Sequence, residues 1–251
     1  MFNIAHRPTP KIEIIEYVRR KHMVARVDLD EIIAAFQNLS TPNVSDALDR
    51  LGVGGAPNGI LPLWPDCKKI VGPAATMKLV ALGEGLESPS AAMGSLEAVL
   101  AANPGDVLVI DHGGRTDVNS YGGIVGFTTQ HYGLAGCVID GVTRDVDEYK
   151  ELGFSVYGRG VIQQSIRNRC DFAGHGIEVE LGGVKVRPGD FIMADDNGVL
   201  VIPVEHLDEV LEIAQTCKAT EERIIEEIRN GAEPVEAHER VRYDEMTKAQ
   251  K

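Results

Sequence analysis

An arginine beside an aspartate, Arg144-Asp145, stands just past an apolar run, 136–139, that reads as a buried strand ending in Asp140-Gly141. A helical stretch follows at 146–152. A guanidinium and a carboxylate at the mouth of a strand-to-helix turn can hold a substrate carboxylate and a divalent cation side by side. Strand ends of α/β folds are also where ligands bind. Plainer roles compete. Asp145 with Glu148 three residues later matches an N-cap acid and an N3 acid, and Arg144 can be a surface ion pair of little consequence.

The second candidate is the run Ser120-Tyr121-Gly122-Gly123-Ile124-Val125-Gly126. Glycines opening a helix let backbone N–H groups approach an anion, or simply let a helix pack closely on a sheet. Asp111 ends another apolar run and precedes His112-Gly113-Gly114; this is either a ligand pair or a turn-forming acid beside an exposed histidine. Asp195-Asp196-Asn197-Gly198 reads as a hairpin turn. The seven histidines show no HExxH spacing, and 52–59 (GVGGAPNG) is neither a P-loop nor a GxGxxG fingerprint. Ser45-Asp46 forms no nucleophile elbow, and nothing singles out Lys78 or Lys185 as a Schiff-base lysine.

Three regions position these residues. Up to about Gly52 the pattern is helical, with Ile12, Ile15, Val18 and Arg19 at helical spacing, then Leu29, Ile32, Ile33 and Phe36. Ser40-Thr41-Pro42 next offers a cap and an early proline. The middle alternates short strands (70–80, 107–111, 136–139, 155–157, 177–181, 184–186, 191–194 and 199–202) with helical stretches at 90–102, 122–132 and 146–152. From about Val204 come charged helices with a stripe of Leu207, Val210, Leu211, Ile213 and Ala214. The expected class is α/β layers around a mixed sheet, without a strict βαβ beat. The division is 1–38 as an N-terminal helical extension, 39–203 as the core and 204–251 as a C-terminal helical extension. Pro104-Gly105-Asp106 and Pro188-Gly189-Asp190 each launch a strand that ends in an acid, an echo that a good turn explains more simply than duplication.

Composition narrows the function classes. A net charge of −13 over 251 residues argues against nucleic acid but permits an anionic substrate beside a local arginine and a metal. Cys67, Cys137, Cys170 and Cys217 form no CxxC pair and read as reduced thiols of a cytoplasmic protein. The start lacks the apolar core of a signal peptide, and no apolar run approaches membrane-spanning length.

Ordered motifs carry a family resemblance: LSTPNVSDAL from Leu39, VGPAAT from Val71, PGDVLV from Pro104, YGG from Tyr121, VIDGVTRD from Val138, GVKVRPGD from Gly183 and ADDNGV from Ala194. Over about Leu39 to Gly231 the chain resembles the RraA-like family, which includes class II 4-hydroxy-4-methyl-2-oxoglutarate aldolases and the regulator of ribonuclease E activity A. The resemblance implies an α/β/β sandwich similar to the swivelling phosphohistidine domain, assembled as trimers or hexamers with sites at subunit interfaces. It implies that Arg144 holds a 2-oxo acid and that Asp145 ligates Mg²⁺ or Mn²⁺. Backbone amides of Gly122, Gly123, Ile124 and Val125 would bind the substrate carboxylate, and Glu221 or Glu222 of a neighbouring subunit would join the metal's water shell. Aldolase members often carry an acid at the loop position occupied here by Gly123, a departure that bears on the substrate. The extension up to about Asp30 is longer than a minimal member needs.

Those parts imply a metal-dependent lyase. A metal acting as Lewis acid, with Arg144, would stabilise the pyruvate enolate common to retro-aldol cleavage of 4-hydroxy-2-oxo acids and decarboxylation of oxaloacetate. Two alternatives stand beside it: a non-catalytic regulator that binds a protein, against which Asp145 speaks, and an enzyme of sugar-acid metabolism using the same chemistry.

Overall fold

The computed structural model describes residues 29–242. The helical pattern expected around Ile12, Ile15 and Val18, and with it most of the 1–38 extension, lies outside the described residues.

Helix α1 (Leu29–Gln37) leads into α2 (Thr41–Leu51) through the expected cap. The Ser40 hydroxyl accepts from the Asn43 N–H, the Asn43 side chain accepts from the Ser40 N–H, and Gly52 closes the helix at φ 67°, a left-handed turn that glycine makes without strain. Thr41 donates its N–H and its hydroxyl to Asp195, 154 positions away, which fastens the start of α2 to the sheet.

The sheet runs β1-β5-β4-β3-β2-β10-β11, with β6 added to β4 and β7 to β2. Its strands are β1 (Leu61–Pro62), β2 (Ile70–Ala81), β3 (Val107–Tyr121), β4 (Gly136–Thr143), β5 (Val156–Gly158), β6 (Gly160–Val161), β7 (Cys170–His175), β10 (Phe191–Asp195) and β11 (Gly198–Ile202). A separate hairpin pairs β8 (Val179–Leu181) with β9 (Val184–Val186). Strands β2, β3, β4 and β5 are mutually parallel. The helices between them are α3 (Ala91–Ala101), α4 (Gly123–His131) and α5 (Val146–Leu152). The middle of the chain therefore does keep a βαβ beat, which the sequence reading did not see. Antiparallel β10 and β11 extend the other edge, turning at Asp196-Asn197 as the hairpin reading expects.

Strand β4 is buried along its whole length, as a strand covered on both faces must be. It runs four residues beyond the expected end because β3 continues beside it and β6 adds to its far end at Val142 and Thr143. Strand β3 survives Gly113 and Gly114, both at positive φ, by bulging between Asp111 and Arg115.

Two apolar clusters result. The larger fills the sheet and its crossover helices. The smaller joins Ile32, Phe36, Val44 and Leu48 of α1 and α2 to Phe191, Met193, Leu200 and Ile202. It is completed by Leu207, Val210 and Ala214 of α6 (Leu207–Arg229), so helices from both ends of the chain share one layer. A last helix, α7 (Pro234–Val241), packs on α6. The two Pro-Gly-Asp segments fold alike: Gly105 and Gly189 sit at φ 87° and 88°, and the Asp106 and Asp190 carboxylates accept from the N–H three residues back. Shared turn geometry accounts for the echo. No helix among the described residues is long and apolar enough to cross a membrane.

Candidate functional site

Strand β4 delivers Arg144 and Asp145 to its carboxyl end, where β3 delivers the Tyr121-Gly122-Gly123 turn into α4. The two segments are stitched together by the Arg144 N–H to the Tyr121 carbonyl (3.2 Å) and by the Thr143 hydroxyl to the same carbonyl (2.7 Å). Asp145 adopts φ 59°, ψ 36°. Such left-handed backbone is uncommon outside glycine and tolerated by Asp and Asn. It turns the carboxylate away from α5, whose N-terminus receives no side-chain cap from it. The capping role expected for Asp145 is thus not what the fold uses. Its Oδ2 instead accepts the Gly123 N–H at 2.7 Å and lies 3.3 Å from Arg144 Nε.

Arg144 Nε is buried and makes no hydrogen bond, because the 3.3 Å approach to Asp145 is an ion pair without hydrogen-bond geometry. Nor does Oδ1 of Asn119, a residue only 3% exposed. Both residues lie against Gly122, Asn119 through its Nδ2, which donates to the Tyr121 carbonyl at 3.2 Å. A β-carbon there would lie 3.1 Å from Asp145 Oδ2, 3.3 Å from Arg144 Nε and 3.5 Å from Asn119 Nδ2. At φ −143° the backbone of Gly122 is extended and open to any residue, so the glycine provides room, not conformation. Gly126 serves the other purpose weighed for this run, since a side chain there would run into the Tyr149 ring. The first-turn N–H groups of Ile124 and Val125 have no partner within α4, and this end of a helix favours anions. An open cleft of about 370 Å³ adjoins the pair, lined by Arg144, Asp145, Val161, Ile162 and Gln163.

The other candidates have structural work. Asp111 accepts from Lys78 Nζ (2.7 Å) and from the N–H groups of Gly113 and Glu180. His112 is buried, not exposed, bonded to Ser120 Oγ at 2.7 Å and to Cys170 Sγ at 3.2 Å. Burial, helped by the Arg115 charge, pulls its pKa down to about 4. These two therefore form no ligand pair. Lys185 pairs with Glu178 at the surface. Asp195 is held below the usual carboxylate range, because hydrogen bonds from Thr41 and Asn197 outweigh the effect of its burial.

Glu221 accepts from Asn43 Nδ2 at 2.8 Å, and Glu222 pairs with Lys218. Neither lines the Arg144–Asp145 cleft of its own chain. Asn119 carries no sequence signal, being a lone amide in a strand that looked finished at Asp111. Glu148 was visible only as a capping partner, yet its carboxylate lies against Gly123.

Comparison with known proteins agrees with the fold and the motifs. Residues 41–201 match the family described as RraA-like (Aldolase/RraA), and the chain belongs to that family. It is 34% identical to a Halalkalibacterium halodurans protein named "Putative 4-hydroxy-4-methyl-2-oxoglutarate aldolase", over 76% of this chain and 86% of that one. It is 32% identical to protein DlpA of Legionella pneumophila over 95% of its own length, but spans only 37% of DlpA. The crystal structure of an uncharacterized protein from Pseudomonas syringae superposes with a TM-score of 0.74 at 28% identity, covering 86% of this chain and all of that one.

Proposed function

We propose that this protein is a divalent-metal-dependent carbon–carbon lyase that releases pyruvate from 2-oxo acids, by retro-aldol cleavage of a 4-hydroxy-2-oxo acid or by decarboxylation of oxaloacetate. The observation that carries this reading is Asp145: a strained backbone aims its carboxylate away from its own helix and beside an arginine whose Nε lacks a hydrogen bond. The relatives named as aldolases support the reaction class.

The residues present suit Mg²⁺ or Mn²⁺. No group of three His, Cys, Asp or Glu side chains converges among the described residues. Mg²⁺ is commonly held by one or two carboxylates and completed by water and substrate oxygens, and Asp145 is a hard oxygen donor of that kind. Gly122 leaves space beside it, and Arg144 turns an unpaired polar atom, Nε, toward that space. A bound divalent cation would supply Lewis-acid stabilisation of charge developing on the substrate's C2 oxygen. Arg144 binds the C1 carboxylate and shares that charge. The N–H groups of Ile124 and Val125 complete the cradle at the start of α4, and Val161 and Ile162 form the apolar side of the cleft.

We place the working site in a homotrimer or homohexamer. Met93 and Leu100 of α3, and Ile124 and Phe127 of α4, are each more than half exposed, and these two helices pack together. An apolar face that begins within the substrate loop, at Ile124, suits a second copy of the chain. That copy would bring Glu221 or Glu222 to the metal's water shell. The test is pyruvate release from a panel of 4-hydroxy-2-oxo acids and oxaloacetate by metal-stripped protein, before and after adding Mg²⁺ or Mn²⁺. Release that needs the cation supports the reading; no release from any substrate in the panel rejects it.

A further inference from the structure

We infer that the substrate is a 4-hydroxy-2-oxo acid with a single carboxylate and a neutral far end, and that Gln163 selects it by hydrogen-bonding the C4 hydroxyl. The inference rests on the lyase reading proposed above, with Arg144 holding the C1 carboxylate. Opposite that anchor the cleft is walled by three consecutive residues, Val161, Ile162 and Gln163. Backbone hydrogen bonds fix this wall on both sides. Val161 pairs with Thr143 where β6 meets β4, and Ile162 donates its N–H to the Thr143 carbonyl at 2.8 Å. One residue past Gln163, the Gln164 carbonyl accepts the Asn119 N–H of β3 at 3.0 Å. Thr143 and Asn119 belong to the strand ends that deliver Arg144 and Gly122, so the wall keeps a set position relative to the anchor.

The wall is uncharged. Val161 is 57% exposed, and Gln163 is exposed with its side-chain amide free of hydrogen bonds among the described residues. Arg144 is the one cation among the residues lining the cleft, and Asp145 stands 3.3 Å from it. Once Arg144 holds the C1 carboxylate, a second carboxylate would meet apolar side chains and an amide, a poor exchange for its hydration. Arg169, six positions past Gln163, is turned back on its own loop and donates to the Ser165 and Arg167 carbonyls. A neutral far end fits better. Its methyl group packs on Val161 and Ile162, and its C4 hydroxyl meets an amide that can both donate and accept. In the cleavage that hydroxyl gives up its proton and becomes a carbonyl, while the C3–C4 electron pair passes to the pyruvate enolate, which then takes up a proton. The second product is a small aldehyde or ketone without charge. Of the two reactions proposed above, this wall favours retro-aldol cleavage over decarboxylation of oxaloacetate, and it departs from the dicarboxylate for which the Halalkalibacterium halodurans relative is named.

Calorimetric titration of the full chain in the presence of Mn²⁺ compares 2-oxopentanoate with 2-oxoglutarate, acids of equal chain length that differ at the far end and carry no C4 hydroxyl to cleave. Wild-type protein should bind 2-oxopentanoate about tenfold or more tightly. Gln163→Arg, a change at an exposed position, should bring 2-oxoglutarate level or ahead, because a guanidinium pairs with the second carboxylate. Cleavage of 4-hydroxy-2-oxopentanoate gives a second readout. Gln163→Leu should lower kcat/KM for it about twofold to tenfold, the worth of one neutral hydrogen bond, while its affinity for 2-oxopentanoate, which lacks the hydroxyl, stays within about twofold of wild type. Tighter binding of 2-oxoglutarate by the wild type overturns the inference, and loss of that preference in Arg167→Ala would identify Arg167 as the second cation. Unchanged cleavage by Gln163→Leu removes Gln163 from substrate selection. Failure of the lyase reading shows separately: the two acids would bind in the expected order while no 4-hydroxy-2-oxo acid is cleaved.

Discussion

Replacing Asp145 with asparagine separates chemistry from architecture, because the structure lets the fold survive it. Asn tolerates the left-handed backbone at φ 59° as well as Asp does, and its amide oxygen can still accept the Gly123 N–H now bonded at 2.7 Å. What changes is charge. A hydrogen bond to a charged group contributes about 1.5–3 kcal/mol and a neutral one about 0.5–1.5, so the expected cost is about 1 kcal/mol. For a chain of this size that lowers Tm by about 2–4 °C. Activity should fall much further, since the cation loses its anionic ligand and Arg144 the carboxylate it pairs with at 3.3 Å; even outer partners of a metal site change affinity or activity about 10–100-fold, and a direct ligand should exceed that. The assay is steady-state pyruvate release at saturating Mn²⁺, paired with a melting curve. A variant that melts within a few degrees of wild type and retains full turnover would refute the reasoning, and would reduce Asp145 to a clasp between β4 and α4.

Arg144→Lys should lower kcat/KM about tenfold to a hundredfold, because an ammonium cannot present two parallel N–H groups to a carboxylate; a change below about twofold in steady-state kinetics would remove Arg144 from the site. Gly122→Ala should raise KM for the 2-oxo acid with little change in Tm, since its methyl would stand 3.1–3.5 Å from Asp145, Arg144 and Asn119 on a backbone that accepts alanine; unchanged kinetics would show that space to be idle. His112, buried with its pKa pulled down to about 4 from 6.5, is held neutral by the fold, so its contribution is complete above about pH 6.5 and is lost as pH falls toward 4. Urea denaturation should show a loss of about 3 kcal/mol across that window, and a flat profile there would contradict the buried neutral imidazole. Sedimentation should show a trimer or hexamer at micromolar concentration, and a monomer alone would leave the exposed α3–α4 face unexplained.

What could be read before the fold was known follows from where the information lies in the chain. Local signals held: the Ser40 cap with Pro42, the Asp196-Asn197 turn, the Leu207–Ala214 stripe, and the Arg144-Asp145 pair at a strand end are each written within a few neighbouring residues. Long-range pairing was hidden. Strand β7, Cys170–His175, has little apolar alternation and exists because the far half of β2 offers it an edge. The extensions of β3 and β4 depend on each other and on a bulge absorbed by Gly113 and Gly114. Asn119 and Glu148 belong to the site only because β3, α4 and α5 bring them to Gly122 and Gly123. The same fold assigns His112 to the interior, where neither of the roles read for it from the sequence applies.

The central claim is that Arg144, Asp145 and a divalent cation stabilise a pyruvate enolate, and it can be tested without knowing the natural substrate. In D₂O, proton NMR follows exchange of the pyruvate methyl protons for deuterium, which requires enolate formation and nothing further. Metal-stripped protein should leave the methyl signal intact, Mg²⁺ or Mn²⁺ should make it decay at a rate proportional to protein concentration, and Asp145→Asn should abolish the decay. Exchange that proceeds equally without the cation, or no exchange with either cation present, would contradict the account.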